Sequence, residues 1–449
     1  MARIEAHPLP ALGTLPDRQR VLAAIVALRR RGPVVALESV APSVGHGGQT
    51  LIAGAPRELL SLGAGSGFPT PFHQLVASVD RFRREFGVAD GPPVGAFGFL
   101  GHECGEPAAT PRLAPFPDGW FLLTDTVIHW PEPGAPPLLH TSDATLAREL
   151  LSELARSEVP SATVPKETVG ETTAAPSDLT FAEFARAFSA ARAALARGDS
   201  YQLCFTFPFL RAFRGDPLAL YDRLRTVNPA PFAAFLEAPF GTIVSSSPER
   251  FLRVDPARRV EARPMKGTAV KPLAASARAA AGRALAASPK MRAENLMIAD
   301  LLANDLRRVC RLGSVRATQP TRVEEHATLL QLVSVIEGTL RADASCADLL
   351  AAAFPPGSMT GAPKVRSIEL LRSLESGPRG PYGGALGYLA TDGRMDLSVV
   401  IRSALVAGEV ARVNAGAGLV WDSEPGAEFR ECCAKAAPVL RAIAEAGAA

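Results

Sequence analysis

From Cys204 onward, short β-rich runs alternate with longer helical ones, and this alternation limits the possible folds more than any other feature. Cys204–Leu210 and Thr242–Ser246 read as strands, and Arg292–Leu312 reads as a long helix. Gly383–Ala390, Leu397–Leu405 and Ala411–Ala415 read as strands of one sheet. Glu424–Ala446 reads as a helix broken near Pro438. Residues 20 to 150 look like strands and loops, with β-rich runs at Val34–Leu37, Gln49–Ala53 and Trp120–His129 between glycines and prolines. Val21–Leu28 is an apolar octet flanked by arginines, too short to cross a bilayer, and reads as the buried stripe of an amphipathic helix. Thr180, with Glu183 three residues on, caps a helix running to Arg197. Ser157–Ser177 is rich in Ser, Thr, Pro and Glu without apolar periodicity, which marks a linker. The expected class is α+β, with large antiparallel sheets and helices outside them. The expected division is an N-terminal region 1–155, a linker or crossover loop 156–178 and a catalytic region 179–449.

Composition narrows the function classes. The chain has 449 residues, 47% of them apolar, enough to bury a large core. Its formal net charge of +3 gives no electrostatic claim on nucleic acid or on an acidic membrane surface. The six cysteines include no CxxC pair, and the vicinal Cys432–Cys433 suits neither a zinc site nor an ordinary disulfide. A reduced, cytoplasmic compartment is expected.

Charged residues inside apolar or Gly-rich segments are the places where burial is costly without a job. Glu294 sits on the stretch ENLMIADLLAND, and Glu428 and Glu431 lie at i, i+3 on another helix with Lys435 following. Carboxylates from two helices meeting over a cleft suit a hard cation such as Mg²⁺. A solvated helix face laced with ion pairs would give the same spacing. Glu249 follows an apolar strand, where a functional acid or a turn residue would stand equally well. Lys266, between Met265 and Gly267, is either a partly desolvated nucleophile or part of a surface turn. Gly357–Lys364 opens a helical run and Asn414–Gly418 is Gly-rich, so both can present backbone N–H groups to an anion. Arg402 is a guanidinium inside an apolar strand and should need an anionic partner. Together these pieces predict a site for a small carboxylated substrate with Mg²⁺.

The segments SSSPERF, RPMKGT, ENLMIADLLANDLRRV, LVSVIEG, AAFPPGSMTGAPKVRSIELL, YGGALGYLATDGRMDLSVVIRSALV, NAGAGLVWDS and AEFRECCAKA follow one another in order. In them the chain resembles the chorismate-utilising enzymes, and within these the aminodeoxychorismate synthase component I branch. The likeness is dense from about residue 180 to 445. It is looser before that, through Leu37–Ser39, Gly95–Glu103 and PDGWFLLTD. The resemblance implies a two-layer α/β sandwich with large antiparallel sheets and outer helices around a central chorismate cleft. It implies a nucleophilic Lys266 where anthranilate synthases carry a small residue. It places Gln202 where isochorismate-forming members carry a lysine that activates water. Glu249 takes the position of the general acid. Glu294 and Glu431 match the Mg²⁺ ligands, with Glu428 acting through water. Thr268, Thr360, Tyr382, Arg402, Gly416, Gly418 and Lys435 match substrate contacts. Glu38, Ser39, Pro229 and Phe232 match segments that line a tryptophan pocket in the family.

Three positions depart from the family pattern. Gln331 stands where a histidine is frequent, Met291 where an acid is common and Ala303 where an arginine is usual. The chain contains no G-x-C-x-G segment, so the expected ammonia source is a separate glutamine amidotransferase subunit. The expected product is 4-amino-4-deoxychorismate, for 4-aminobenzoate and folate synthesis. Anthranilate synthase component I, 2-amino-2-deoxyisochorismate synthase and a catalytically silent binding subunit stay open as alternatives.

Overall fold

A computed structural model describes residues 4–9, 18–40, 48–63, 67–87, 93–131, 136–156, 178–272, 274–325 and 329–447. The linker 157–177 lies outside the described residues. Two large sheets dominate. The first has eleven strands, in the order Glu5–Pro8, Leu138–Thr141, Val127–Trp130, Thr50–Ala53, Val34–Glu38, Phe232–Ala238, Gly241–Ser247, Ser403–Ala407, Val410–Leu419, Gln202–Ala212 and Gly361–Ala362. The second has ten. Its central path runs Met265–Val270, Leu329–Thr339, Arg259–Ala262, Arg250–Val254, Met395–Val399, Ala385–Ala390, Gly95–Leu100, Gly119–Thr124 and Glu58–Leu62, with Arg316–Glu325 added beside Leu329–Thr339.

Each sheet draws strands from both sides of the linker. Val34–Glu38 pairs antiparallel with Phe232–Ala238, and Gly95–Leu100 pairs antiparallel with Ala385–Ala390. The sheets face each other across an apolar core in which Val35, Leu51 and Leu236 of the first meet Phe97, Phe99 and Leu386 of the second. Helices cover the outer faces. Arg18–Arg29, Ala144–Arg156, Phe181–Ala196, Pro217–Val227 and Pro425–Gly447 pack on the first sheet. Thr70–Phe86, Pro289–Arg307 and Cys346–Ala353 pack on the second. No helix among the described residues is long and apolar enough to cross a membrane.

The structure corrects several sequence expectations. Leu397–Leu405 is not one strand. It splits into Met395–Val399 of the second sheet and Ser403–Ala407 of the first, so Gly383–Ala390 and Ala411–Ala415 also belong to different sheets. Arg402 therefore lies in the crossing, at φ 55°, and not within a strand. Trp120–His129 splits in the same way, with Thr124 turning the chain by accepting from the Thr126 amide at 2.9 Å. Among the described residues, three α-helices begin within the first 150 positions, at Arg18, Thr70 and Ala144. The one at Thr70–Phe86 buries Phe72, Leu75, Val79 and Phe82, a helical spacing hidden among Gly and Pro punctuation. The helix Pro425–Gly447 runs unbroken through Pro438. The long helix starts earlier than expected, at Pro289 with Ser288 as its cap, and ends at Arg307. The Thr180 capping box forms as read.

Candidate active site

One cavity of about 510 Å³ gathers most of the charged residues singled out above. Lys266 reaches it from the strand Met265–Val270. That strand carries a bulge between Lys266 and Thr268, where Gly267 sits at φ 78°. The bulge needs glycine, because the left-handed backbone disfavours a side chain and a Cβ there would come within 3.1 Å of Met291 Cβ. Its consequence is to re-aim Lys266 relative to its neighbours.

The Lys266 amine lies beside Gly418. A Cβ on Gly418 would meet Lys266 Nζ at 3.1 Å and Gln202 Nε2 at 3.0 Å. Gly418 thus leaves room for both side-chain ends. Gln202 is 1% exposed, and neither atom of its carboxamide has a hydrogen-bond partner among the described residues. Gly418→Ala should leave the fold intact, since the new methyl meets only the ends of flexible side chains, but displace the amine. We expect a loss of about 10²-fold in turnover, with thermal unfolding little changed, measured by initial rates and calorimetry.

Glu249 follows the strand Gly241–Ser247 and is 6% exposed. Its carbonyl accepts from the Val399 amide at 3.0 Å and its own amide donates to Ser247 Oγ at 3.3 Å, so both ends of the residue are fixed. Burial pushes its carboxyl up to about 7, against the opposing pull of Ser358, Lys266 and Lys435. A carboxyl so placed stays protonated to neutral pH.

Glu294 enters from the helix Pro289–Arg307, and Glu428 and Glu431 enter from Pro425–Gly447. Burial raises the Glu294 carboxyl, and Glu428 and Glu431 add to that shift. Burial likewise raises Glu428, whose Oε1 accepts from Ser423 at 2.8 Å. Glu431 also loses solvation, but Lys435 at 2.6 Å outweighs that and holds it low. Three carboxylates that repel one another, with only one of them strongly paired, form a hard donor set that fits Mg²⁺. They do not converge tightly on their own. The trio that does, among the described residues, is His102, Glu103 and Glu106. Its atoms are already taken by Arg372, Arg379 and two backbone amides.

Arg402 donates from Nη1 to the Lys435 carbonyl at 3.1 Å. Among the described residues no carboxylate forms an ion pair with it. Burial lowers its pKa, with Tyr382 and Glu431 pulling the other way. Lys435 Nζ donates to the Gly416 carbonyl at 2.9 Å, and Tyr382 is buried in the same wall. These cations supply the countercharge for an anionic ligand. Thr268 lines the cavity and its hydroxyl faces Gln331 Nε2 at 3.4 Å. Ala303 is buried in the apolar core beside Leu302 and Leu306.

Two expectations fall elsewhere. Thr360 is fully buried, and its hydroxyl donates to the Gly357 carbonyl at 3.3 Å, away from the cavity lining. The helix opened by Lys364 does not present its N-terminus to the cavity. Lys364 instead pairs with Asp305 at 2.8 Å, and only Ser358 and Met359 of that segment line the site. Sequence reasoning missed Lys290, which stands 4.0 Å from Glu294, and Ser358 beside Glu249. The i, i+4 spacing of Lys290 and Glu294 was the available signal.

Glu38, Ser39 and Phe232 line a second cavity, with Pro231 there in place of Pro229. Its volume is about 60 Å³, room for a few water molecules at about 10–15 Å³ each. Glu38 is also committed, to Arg225 and to the Tyr221 hydroxyl at 2.8 Å.

Residues 44–441 match the family described as chorismate binding enzyme. The chain belongs to that family. It is 40% identical over 372 residues to an aminodeoxychorismate synthase from Streptomyces pristinaespiralis, covering 79% of this chain and 51% of that protein. It is 34% identical over 406 residues to anthranilate synthase component 1 from Streptomyces coelicolor, covering 85% and 79%. The chain spans about half or less of the length of the curated aminodeoxychorismate synthases it matches. Anthranilate synthase component I from Streptococcus pneumoniae superposes with a TM-score of 0.72 at 25% identity, over 88% of this chain and 92% of that one. The menaquinone-specific isochorismate synthase from Escherichia coli superposes at 0.73 with 18% identity, which shows the shared fold.

Proposed function

We propose that the chain converts chorismate and ammonia to 4-amino-4-deoxychorismate through a covalent bond to Lys266. The observation that carries this reading is a single cavity holding a lysine amine together with a carboxyl that stays protonated to about pH 7. Direct replacement of the 4-hydroxyl with retained configuration is hard in one displacement. Two allylic displacements accomplish it, which is the usual gain from covalent catalysis. Lys266 Nζ bonds to ring carbon 2, both ring double bonds shift along the ring, and the carbon 4–oxygen bond breaks. Glu249 gives its proton to the departing oxygen, which leaves as water. Ammonia then bonds to carbon 4, both double bonds shift back and the Lys266 nitrogen leaves carbon 2 with the bonding pair. The excess proton on the entering nitrogen passes to the Glu249 carboxylate.

Gln202, with an amide and no basic group, does not activate water for attack at carbon 2. Arg402 and Lys435 hold substrate carboxylate. Mg²⁺, held by Glu294 and Glu431 with Glu428 through water, would offset the charge of the substrate carboxylates. Ammonia comes from a separate glutamine amidotransferase subunit.

Glu294→Gln should weaken Mg²⁺ binding in the presence of chorismate by about 10²-fold or more, read by calorimetry. Unchanged affinity would remove Glu294 from the metal site. The reaction itself is tested with purified protein, chorismate, Mg²⁺ and ammonium salt. Formation of 4-amino-4-deoxychorismate, identified by NMR, supports the reading. Anthranilate fluorescence without an added lyase would replace it with anthranilate synthase, and amination at carbon 2 with 2-amino-2-deoxyisochorismate synthase. Absence of chorismate binding would point to a silent subunit.

A further inference from the structure

Behind the cavity wall lies a buried ionic cluster that the proposed chemistry does not use. Arg379 is 3% exposed, and all five N–H groups of its guanidinium are engaged. Nε and Nη2 donate to the two oxygens of Glu375 at 2.9 and 2.6 Å. Nη1 donates to the Met359 carbonyl at 2.5 Å and faces His102 Nε2 at 3.2 Å. Nη2 also donates to the Cys204 carbonyl at 2.8 Å. The arginine's own backbone is pinned as well, since the amides of Arg379 and Gly380 donate to Glu103 at 2.7 and 3.0 Å.

The two carbonyls belong to two different walls of the site. Cys204 lies on the strand Gln202–Ala212, two residues from Gln202, and Met359 lies on the turn that carries Ser358. Both line the cavity, as does Tyr382, three residues beyond Arg379. Ser358 is the neighbour that faces Glu249. We propose that Arg379 is a positioning residue, whose planar fork locks the Met359 turn to the Cys204 strand and so keeps water away from Glu249. The inference rests on the reading of Glu249 as general acid for its kinetic consequence, though not for its geometry.

Energetics favour a geometric role. A buried ion pair such as Arg379–Glu375 recovers little net stability over apolar side chains of similar size. What it adds is direction, because five donors in a rigid plane fix five acceptors. Lysine keeps the charge and loses the plane. His102 extends the cluster toward the surface. Burial and the facing Arg379 hold the imidazole's pKa below its ordinary value, so Nε2 accepts from Arg379 while Nδ1 donates to Glu106 at 3.1 Å. Glu106 in turn accepts from Arg372.

The test is Arg379→Lys, with the Glu249 carboxyl followed by carbon-13 NMR in glutamate-labelled protein against a Glu249→Gln blank. The charged groups facing that carboxyl, Lys266 and Lys435, are unchanged in the variant. Loosening the turn admits water and also slackens the opposing pull of Ser358; burial is the larger of the two causes, so the Glu249 midpoint should fall, by about one pH unit. The pH above which the rate declines should fall by the same amount. An unmoved midpoint in folded Arg379→Lys overturns the proposal. A midpoint that moves while the rate profile does not upholds the positioning role and sinks the general-acid reading. Should Arg379→Lys fail to fold, Glu375→Gln carries the same criteria, since it takes from the fork one of the two carboxylate oxygens that hold Nε and Nη2 and frees the guanidinium to turn off the Met359 and Cys204 carbonyls.

Discussion

Lys266→Ala is expected to form 4-amino-4-deoxychorismate at about a thousandth of the wild-type rate or less, because the first of the two displacements loses its nucleophile. No other amine takes over. Lys435 is held by Glu431 and the Gly416 carbonyl, and Lys290 faces Glu294. Arginine at position 266 should not rescue, since a guanidinium keeps the charge without a nucleophilic lone pair. The substitution leaves the fold little changed, because the strand Met265–Val270 keeps its backbone pairing with Leu329–Thr339. Chorismate and Mg²⁺ should still bind, as Arg402, Lys435 and the three glutamates are untouched. Initial rates beside calorimetric binding separate the two effects. Trace anthranilate from the variant would mean that ammonia can attack carbon 2 once lysine vacates it. Full retention of the product would remove the covalent mechanism.

Glu249→Gln is expected to cost about 10²–10⁴-fold in turnover with little change in chorismate affinity. Glutamine preserves the shape but has no proton to give to the leaving oxygen. The pH dependence has a definite sign. The raised carboxyl keeps its proton up to about pH 7, so the rate should fall as pH rises through that value. In Glu249→Gln that limb should vanish from whatever activity remains. An unchanged limb would assign it to another group.

The sequence carried the pieces of the proposed site better than their setting. Lys266, Glu249, Glu294, Glu428, Glu431, Arg402 and Lys435 stood out as charges in apolar or Gly-rich surroundings, and one cavity collects them. The crossings between sheets were not legible. Trp120–His129 stays buried as it passes from one sheet to the other, and Leu397–Leu405 is half-buried only at Ile401 and Arg402, so the apolar pattern continues and conceals the change. Lys364 shows the opposite failure. A Gly-rich turn before a helix looks like an anion site, yet Asp305, 59 residues away, claims the lysine. Arg379 offered only its i, i+4 spacing from Glu375, because its other acceptors lie at Cys204, Met359 and His102, brought together only by folding. Of the residues matched to a tryptophan pocket, Glu38, Ser39 and Phe232 gather around one cavity, while Pro231 takes the place read for Pro229.

The most direct test of the covalent mechanism is mass spectrometry of the protein quenched after mixing with chorismate and Mg²⁺ in the absence of ammonia. The mechanism predicts a gain equal to chorismate less one water, mapped to Lys266 by peptide digestion and absent from Lys266→Ala. Product formation at full rate on adding ammonia, with no adduct at any quench time or with the same adduct in Lys266→Ala, would contradict it.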